Sequence, residues 1–248
     1  DSSNNQLSPE PLSINANLSA QFASGGKFGW GLHNSGDANN PADSGVIDPS
    51  ADAAKIFPMG SNPSLTVECW VKFNQLGKRQ FLIDKKHEYN DPTGGYRIYI
   101  DDNNCLHWRL GDGTSSLNIF ATPALSTDVW YHIAGTWNAS THTSSLFVNG
   151  VRISSSEFTL SEIKNNSKPL TIANRQVATY AALNGVIDEI KISNKAYNFV
   201  PQEDSPWDDW LRNNFNDAER DDQAIVDRFA DQDNDGFSNL RAFLLLSD

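Results

Sequence analysis

Between residues 64 and 192 apolar and polar positions alternate at period 2, not 3.6, and Gly, Asn, Asp and Pro interrupt the alternation at short intervals. Period 2 puts successive side chains on opposite faces of an extended backbone, so this stretch must form strands with a buried face. In LTVECWVKF, Val67, Cys69, Val71 and Phe73 share one face, with Glu68, Trp70 and Lys72 on the other. YRIYI, CLHWRL, WYHIAGTW, SLFVNGVRI, LTIAN and GVIDEIKIS predict further strands. In FVNGV, Asn149-Gly150 is a dipeptide that accepts positive φ in a tight hairpin, and DDNN and GDGTSS mark other turns. Short strands at this spacing predict an all-β fold, a two-sheet antiparallel jelly roll or β-sandwich, in preference to βαβ units. At 248 residues the chain is long enough to bury a substantial core.

After Pro201 the pattern turns helical. Ser205 can cap, Pro206 suits the first helical position, and Trp207, Trp210 and Leu211 fall at i, i+3, i+4. A second helix is predicted over 218–230, with Ile225 and Phe229 on one face, and NLRAFLLL follows. Between them lies DQDNDGFSNL, residues 231–240. Carboxylates at loop positions 1, 3 and 5 with Gly at 6 are how an EF-hand-type loop wraps oxygen ligands around Ca2+. That assigns Asp231, Asp233 and Asp235, the Phe237 carbonyl at position 7 and Asn239 at position 9. Position 12, where a bidentate Glu belongs, is Ala242, so a solvated acidic turn is the alternative. The expected organisation is a flexible 1–11, a β domain over 12–200 and a short helical calcium-loop appendage over 201–248.

Charge separates the same two parts. Of a net −12, residues 201–248 carry −9, from 13 acidic and 4 basic side chains, and residues 1–200 carry −3. No basic cluster could neutralise a run of phosphates, so nucleic acid is not an expected partner. No apolar run approaches the ~18 residues of a membrane span, and the opening DSSNNQLSPEP reads as the start of a mature or trimmed chain. Cys69 and Cys105, the two cysteines, permit a disulfide, but a pair of free buried thiols suits their apolar strand patterns equally.

If Leu106, Trp108 and Leu110 face the core, His107 and Arg109 face outward. Likewise Ile98 and Ile100 inward leave Arg97 and Tyr99 outward. An exposed Tyr stacks on a sugar ring and two Arg hold a carboxylate or sulfate, so these four residues predict an anionic glycan face. The plainer alternative is an ordinary polar sheet face. Trp30, Trp130 and Trp137 are expected in core or strand-end packing.

Five segments, in order, resemble the laminin G-like family of concanavalin A-type jelly rolls: GKFGWGL (26–32), SLTVECWVKF (64–73), DVWYHIAGTWNAS (128–140), SLFVNGVRI (145–153) and LNGVIDEIKISNKAY (183–197). The resemblance covers roughly 12–198 and implies a calcium ion near the closing strand, with Asp188 as ligand; Asp37 and Asp43, in the polar loop LHNSGDANNPADSG, are candidate complements, with loop solvation as their alternative. For Asp188 the alternative is a carboxylate bonding backbone amides of the first strand. Residues 207–246 resemble dockerin and thrombospondin type 3 calcium loops, which implies a protein partner for the tail. The same superfold hosts glycosidases and polysaccharide lyases, but the E-x-D-x-x-E strand of the laminarinase-like branch does not occur here. The expectation is therefore a secreted bacterial, non-catalytic, lectin-like carbohydrate-binding module. Its rivals are a protein-interaction or adhesion domain and a polysaccharide hydrolase or lyase.

Overall fold

The computed structural model describes residues 22–36, 45–47, 64–86, 94–160, 163–164, 170–175 and 182–199. The chain divides into two compact units, Asp1–Val200 and Pro201–Asp248, and every described residue belongs to the first. The calcium-loop residues 231–239 and both tail helices therefore lie outside the described residues, as do Asp37 and Asp43.

The described residues form strands and turns, with no helix among them. A seven-stranded sheet runs β1 (Phe22–Gly26), β2 (Gly29–Ser35), β13 (Asn184–Ser193), β4 (Leu65–Phe73), β9 (Trp130–Asn138), β10 (Thr143–Val148), β11 (Val151–Glu157). A six-stranded sheet runs β3 (Gly45–Ile47), β12 (Leu170–Ile172), β5 (Gln80–Asp84), β6 (Gly95–Ile100), β7 (Leu106–Gly111), β8 (Ser116–Ala121). Every pairing is antiparallel, and the two sheets make a jelly-roll sandwich. The β10–β11 turn is Asn149-Gly150 with φ of 48° and 76°, as the dipeptide predicts.

The core fills the space between the facing sheets. Leu65, Val67, Cys69, Val71 and Phe73 of β4 are wholly buried, as are Tyr96, Ile98 and Ile100 of β6 and Leu106, Trp108 and Leu110 of β7. Each such aliphatic side chain contributes about 1.5–3 kcal/mol by leaving water. Trp108 ties the layers together: its indole Nε1 donates to the Thr136 carbonyl (3.2 Å) and to Ser144 Oγ (3.0 Å) in the opposite sheet. Gly135 makes room for it, because a Cβ there would overlap the indole ring.

The structure adds β1, β2, β3, β5 and β8 to the strands expected from alternation, and of these β2 overlaps GKFGWGL. QFLID of β5 is buried at all five positions, so it carries no alternation to read. Cys69 and Cys105 are both free and buried, which settles the disulfide question.

Candidate functional site

The face of the six-stranded sheet turned away from the core carries two rows of side chains that run across the strands. Register pairs Phe81 with Tyr99, Tyr99 with His107, and His107 with Phe120, one residue from each of β5, β6, β7 and β8. Their rings form a continuous aromatic row, with centroid separations of 5.0, 4.4 and 5.5 Å; Tyr99 and His107 stack within 2° of parallel. Phe81 and Tyr99 make an apolar cluster of their own, separate from the main core. The neighbouring row is polar: Thr171 pairs with Asp84, Asp84 with Arg97, Arg97 with Arg109, and Arg109 with Asn118.

Asp84 organises the polar row. Wholly buried, it accepts from Arg97 Nε at 3.1 Å, Arg97 Nη2 at 3.5 Å and the Lys86 amide at 3.0 Å, with Arg175 Nε 3.7 Å away. The guanidinium groups of Arg97 and Arg175 both lie over the Phe81 ring, at 5.3 and 5.4 Å from its centroid. Burial pulls Arg97 below the ordinary arginine range; Arg175 and Arg109 add to that as like charges, and Asp84 opposes it. Arg97 Nη1 is buried and finds no acceptor among the described residues. Burial also lowers Lys85 to about 8, partly offset by Asp84. Positive charge is thus concentrated beside one carboxylate, in a chain whose net charge is −12.

The structure brings the four expected ligand residues together on one face but corrects their exposure. Arg97 is 0% exposed and Tyr99 1%. Alternation reports which face a side chain takes, whereas exposure depends on what lies over that face. Here stacked rings and guanidinium groups form a second layer. Tyr99, with His107 and Phe81 on its two sides, has no free face for a sugar. His107 offers only an edge, with Nε2 3.3 Å from Asp101 Oδ2 and Nδ1 3.3 Å from Asn118 Oδ1. Arg109 and Arg175 are partly exposed, and Phe120 is 57% exposed. Asp84, Asn118 and Phe120 escaped the sequence reading, since only strand register places them here, and so did Arg175, which follows β12 and reaches Asp84 from there. Trp137 is buried in the core as expected and Trp130 is partly buried, but Trp30 is 66% exposed, a correction to its expected packing role.

Asp188 lies in the seven-stranded sheet, and its carboxylate serves the backbone. Oδ2 accepts the Phe28 amide of the β1–β2 turn at 3.1 Å, and Oδ1 accepts the Glu189 amide at 2.8 Å. Glu189 sits at φ 48° inside a bulge between Asp188 and Lys191, so simple strand alternation does not hold there. A calcium ion needs six to eight oxygen ligands. Among the described residues, the one group of three acidic, His or Cys side chains within metal-binding reach is Asp101, Cys105 and His107, not a set containing Asp188. Among the described residues Asp188 bonds two backbone amides, and the complements expected for it, Asp37 and Asp43, lie outside the described residues.

Several solved structures are similar to this chain. The binding domain of Paraclostridial Mosquitocidal Protein 1 superposes with a TM-score of 0.53 at 19% identity, over 72% of this chain and 43% of that one. The Ruminococcus gnavus IT-sialidase CBM40 bound to alpha2,3 sialyllactose gives 0.48 at 16% identity, over 61% and 86%. The K499G mutant of the NanB sialidase from Streptococcus pneumoniae gives 0.46 at 20% identity, over 55% and 23%. This chain thus spans less than half of the first and about a quarter of the last. A search of curated proteins returned no match. A sequence profile of the concanavalin A-like lectin/glucanases superfamily matches residues 48–198, well over half of the chain. With the two-sheet antiparallel sandwich already established, the chain belongs to the concanavalin A-like lectin/glucanases superfamily.

Proposed function

We propose that this chain is a non-catalytic carbohydrate-binding module whose ligand is an anionic glycan, held on the outer face of the six-stranded sheet. The observation that carries the reading is Arg97: a buried guanidinium whose Nη1 has no acceptor among the described residues, flanked by Arg109 and Arg175 as like charges. A carboxylate or sulfate arriving between Arg109 and Arg175 supplies acceptors and relieves the crowding of like charge. Phe120, exposed at the end of the aromatic row, offers a flat apolar surface for a sugar ring. Arg97 and Tyr99 act from beneath, holding the row in place.

The non-catalytic part rests on the sequence, which lacks the E-x-D-x-x-E carboxylate spacing of the glucanase branch. Ca2+ belongs to the reading through Asp231, Asp233, Asp235, Phe237 and Asn239, with a weak affinity on the order of 10⁻⁴–10⁻³ M because position 12 is Ala242. A secreted or cell-surface location suits such an affinity, since calcium is plentiful there. Phe28 and Trp30, exposed on and beside β2, favour protein interaction as the second reading.

The test is an array of uronate-bearing, sulfated and neutral polysaccharides, probed with and without Ca2+. Saturable binding to charged members that weakens as salt rises supports the proposal. Binding confined to neutral members contradicts the anionic ligand. Binding to none, or the release of oligosaccharide products, contradicts the module reading itself. Heat of Ca2+ binding that disappears with Asp233→Ala supports the tail site, and no heat in the parent overturns it.

A further inference from the structure

We propose that Asp101, Cys105 and His107 form a site for a divalent transition metal such as Zn2+, with the fourth coordination position left to water. The three residues lie on the β6–β7 turn and the first positions of β7. One ligand atom from each falls within 4.8 Å of the other two. In a tetrahedral zinc site, bonds of about 2.0–2.3 Å set neighbouring ligand atoms roughly 3.3–3.8 Å apart. His107 Nε2 and Asp101 Oδ2, 3.3 Å apart, already have that spacing. Closing on an ion requires about 1 Å of movement at most.

The supporting shell is in place. Asp101 Oδ1 accepts the amides of Asn103 and Cys105, both at 2.9 Å, which fixes the carboxylate and turns Oδ2 toward the site. The turn is closed by the Asp101 amide donating to the Cys105 carbonyl and the Asn104 amide donating to the Asp101 carbonyl, each at 3.0 Å. His107 is clamped flat against Tyr99 and faces Asn118 Oδ1 through Nδ1. In one tautomer Nε2 donates to Asp101 Oδ2. With Nδ1 donating to Asn118 Oδ1 instead, the Nε2 lone pair faces a carboxylate oxygen at 3.3 Å, and the two acceptors then need a cation or a second proton between them. A divalent ion meets that need and pairs with Cys105, whose thiol is buried beside Asp101.

Thiolate, imidazole and carboxylate together select a borderline-soft ion such as Zn2+ over Ca2+. Binding costs one proton. The Cys105 S–H bond breaks, the proton leaves to solvent and the sulfur lone pair goes to the metal, while His107 Nε2 and Asp101 Oδ2 bind without losing a proton. The charges of one thiolate, one carboxylate and Zn2+ then cancel, which suits a mostly buried place. The ion's ligands are separate from the charged contacts of the glycan reading, Arg109 and Arg175, although His107 also packs against Phe120.

The experiment uses the full chain, stripped with chelator and returned to excess Ca2+ so that the acidic tail is occupied. Co2+ is titrated in and its absorption recorded. The expected result is a thiolate-to-Co2+ charge-transfer band that saturates at one ion per chain and is erased by Zn2+. Cys105→Ser removes the band, Cys69→Val keeps it, and His107→Gln or Asp101→Asn weakens Zn2+ at least tenfold, each with an unchanged far-ultraviolet spectrum. No band in the parent overturns the proposal, whatever the variants do. A band that survives Cys105→Ser, or vanishes with Cys69→Val, also overturns it.

Discussion

Asp84→Asn probes the charge organisation of the sheet face with almost no change in shape. The parent carboxylate is wholly buried, and its partners are the wholly buried Arg97 and the largely buried Arg175. An amide can still accept the Lys86 amide through Oδ1, so the 3.0 Å backbone contact need not be lost. What is lost is the negative charge. Arg97 then remains in a dry setting beside Arg175 and Arg109, which already act on it as like charges. Leaving one member of a buried pair uncompensated costs about 3–5 kcal/mol, far more than the net worth of the pair. For a domain of 150–250 residues that corresponds to a melting temperature roughly 6–20 °C lower. The double variant Asp84→Asn, Arg97→Met removes the stranded charge and should recover a substantial part, because a long apolar side chain fills the same space over Phe81. Calorimetric or far-ultraviolet melts of the parent, both singles and the double close the cycle. A shift below 2 °C for Asp84→Asn, or a double variant as damaged as the sum of its singles, would refute the reasoning.

Three other outcomes follow from the described residues. Gly135→Ala drives a methyl into an indole that two hydrogen bonds hold in place, so it should cost about 1–3 kcal/mol at the upper end of overpacking; an unchanged denaturant midpoint contradicts the packing account. Burial, with Glu68 second, raises the Cys69 thiol above its ordinary 9.0, so the folded state keeps a proton that the unfolded chain loses. Its contribution is complete below pH 9 and falls away above it: between pH 8 and 10 the parent should lose about 1.4 kcal/mol more than Cys69→Val. Parallel alkaline profiles would show the thiol titrating alike in both states. Asp188→Ala should cost about 1 kcal/mol by leaving the Phe28 and Glu189 amides to water, equally in calcium and in chelator; a larger loss in calcium alone would show that Asp188 also holds the cation.

Strands in which burial alternates were legible, as in β7, where Leu106, Trp108 and Leu110 are wholly buried and His107 and Arg109 between them are partly exposed. β5 was not, since QFLID is covered on both faces. The candidate face was half legible. Alternation places Arg97, Tyr99, His107 and Arg109 on one side of the sheet, but Asp84 and Arg175 join them only through pairings that link β12, β5 and β6. Exposure was misjudged for the same reason, because stacking between neighbouring strands depends on register. Alternation puts Cys105 and His107, two apart, on one side, but Asp101 joins them only through the fold of the β6–β7 turn, which strand spacing does not report.

The central claim is that Arg109 and Arg175 grip an anionic group on the outer face of the six-stranded sheet. Titration calorimetry of the parent and of Arg109→Ala, with the charged polysaccharide that ranks first on the array, tests it most directly. Loss of one charge-assisted hydrogen bond is worth about 1.5–3 kcal/mol, so the dissociation constant should rise at least tenfold while the variant melts close to the parent. A dissociation constant unchanged in Arg109→Ala, and again in Arg175→Ala, would contradict the account.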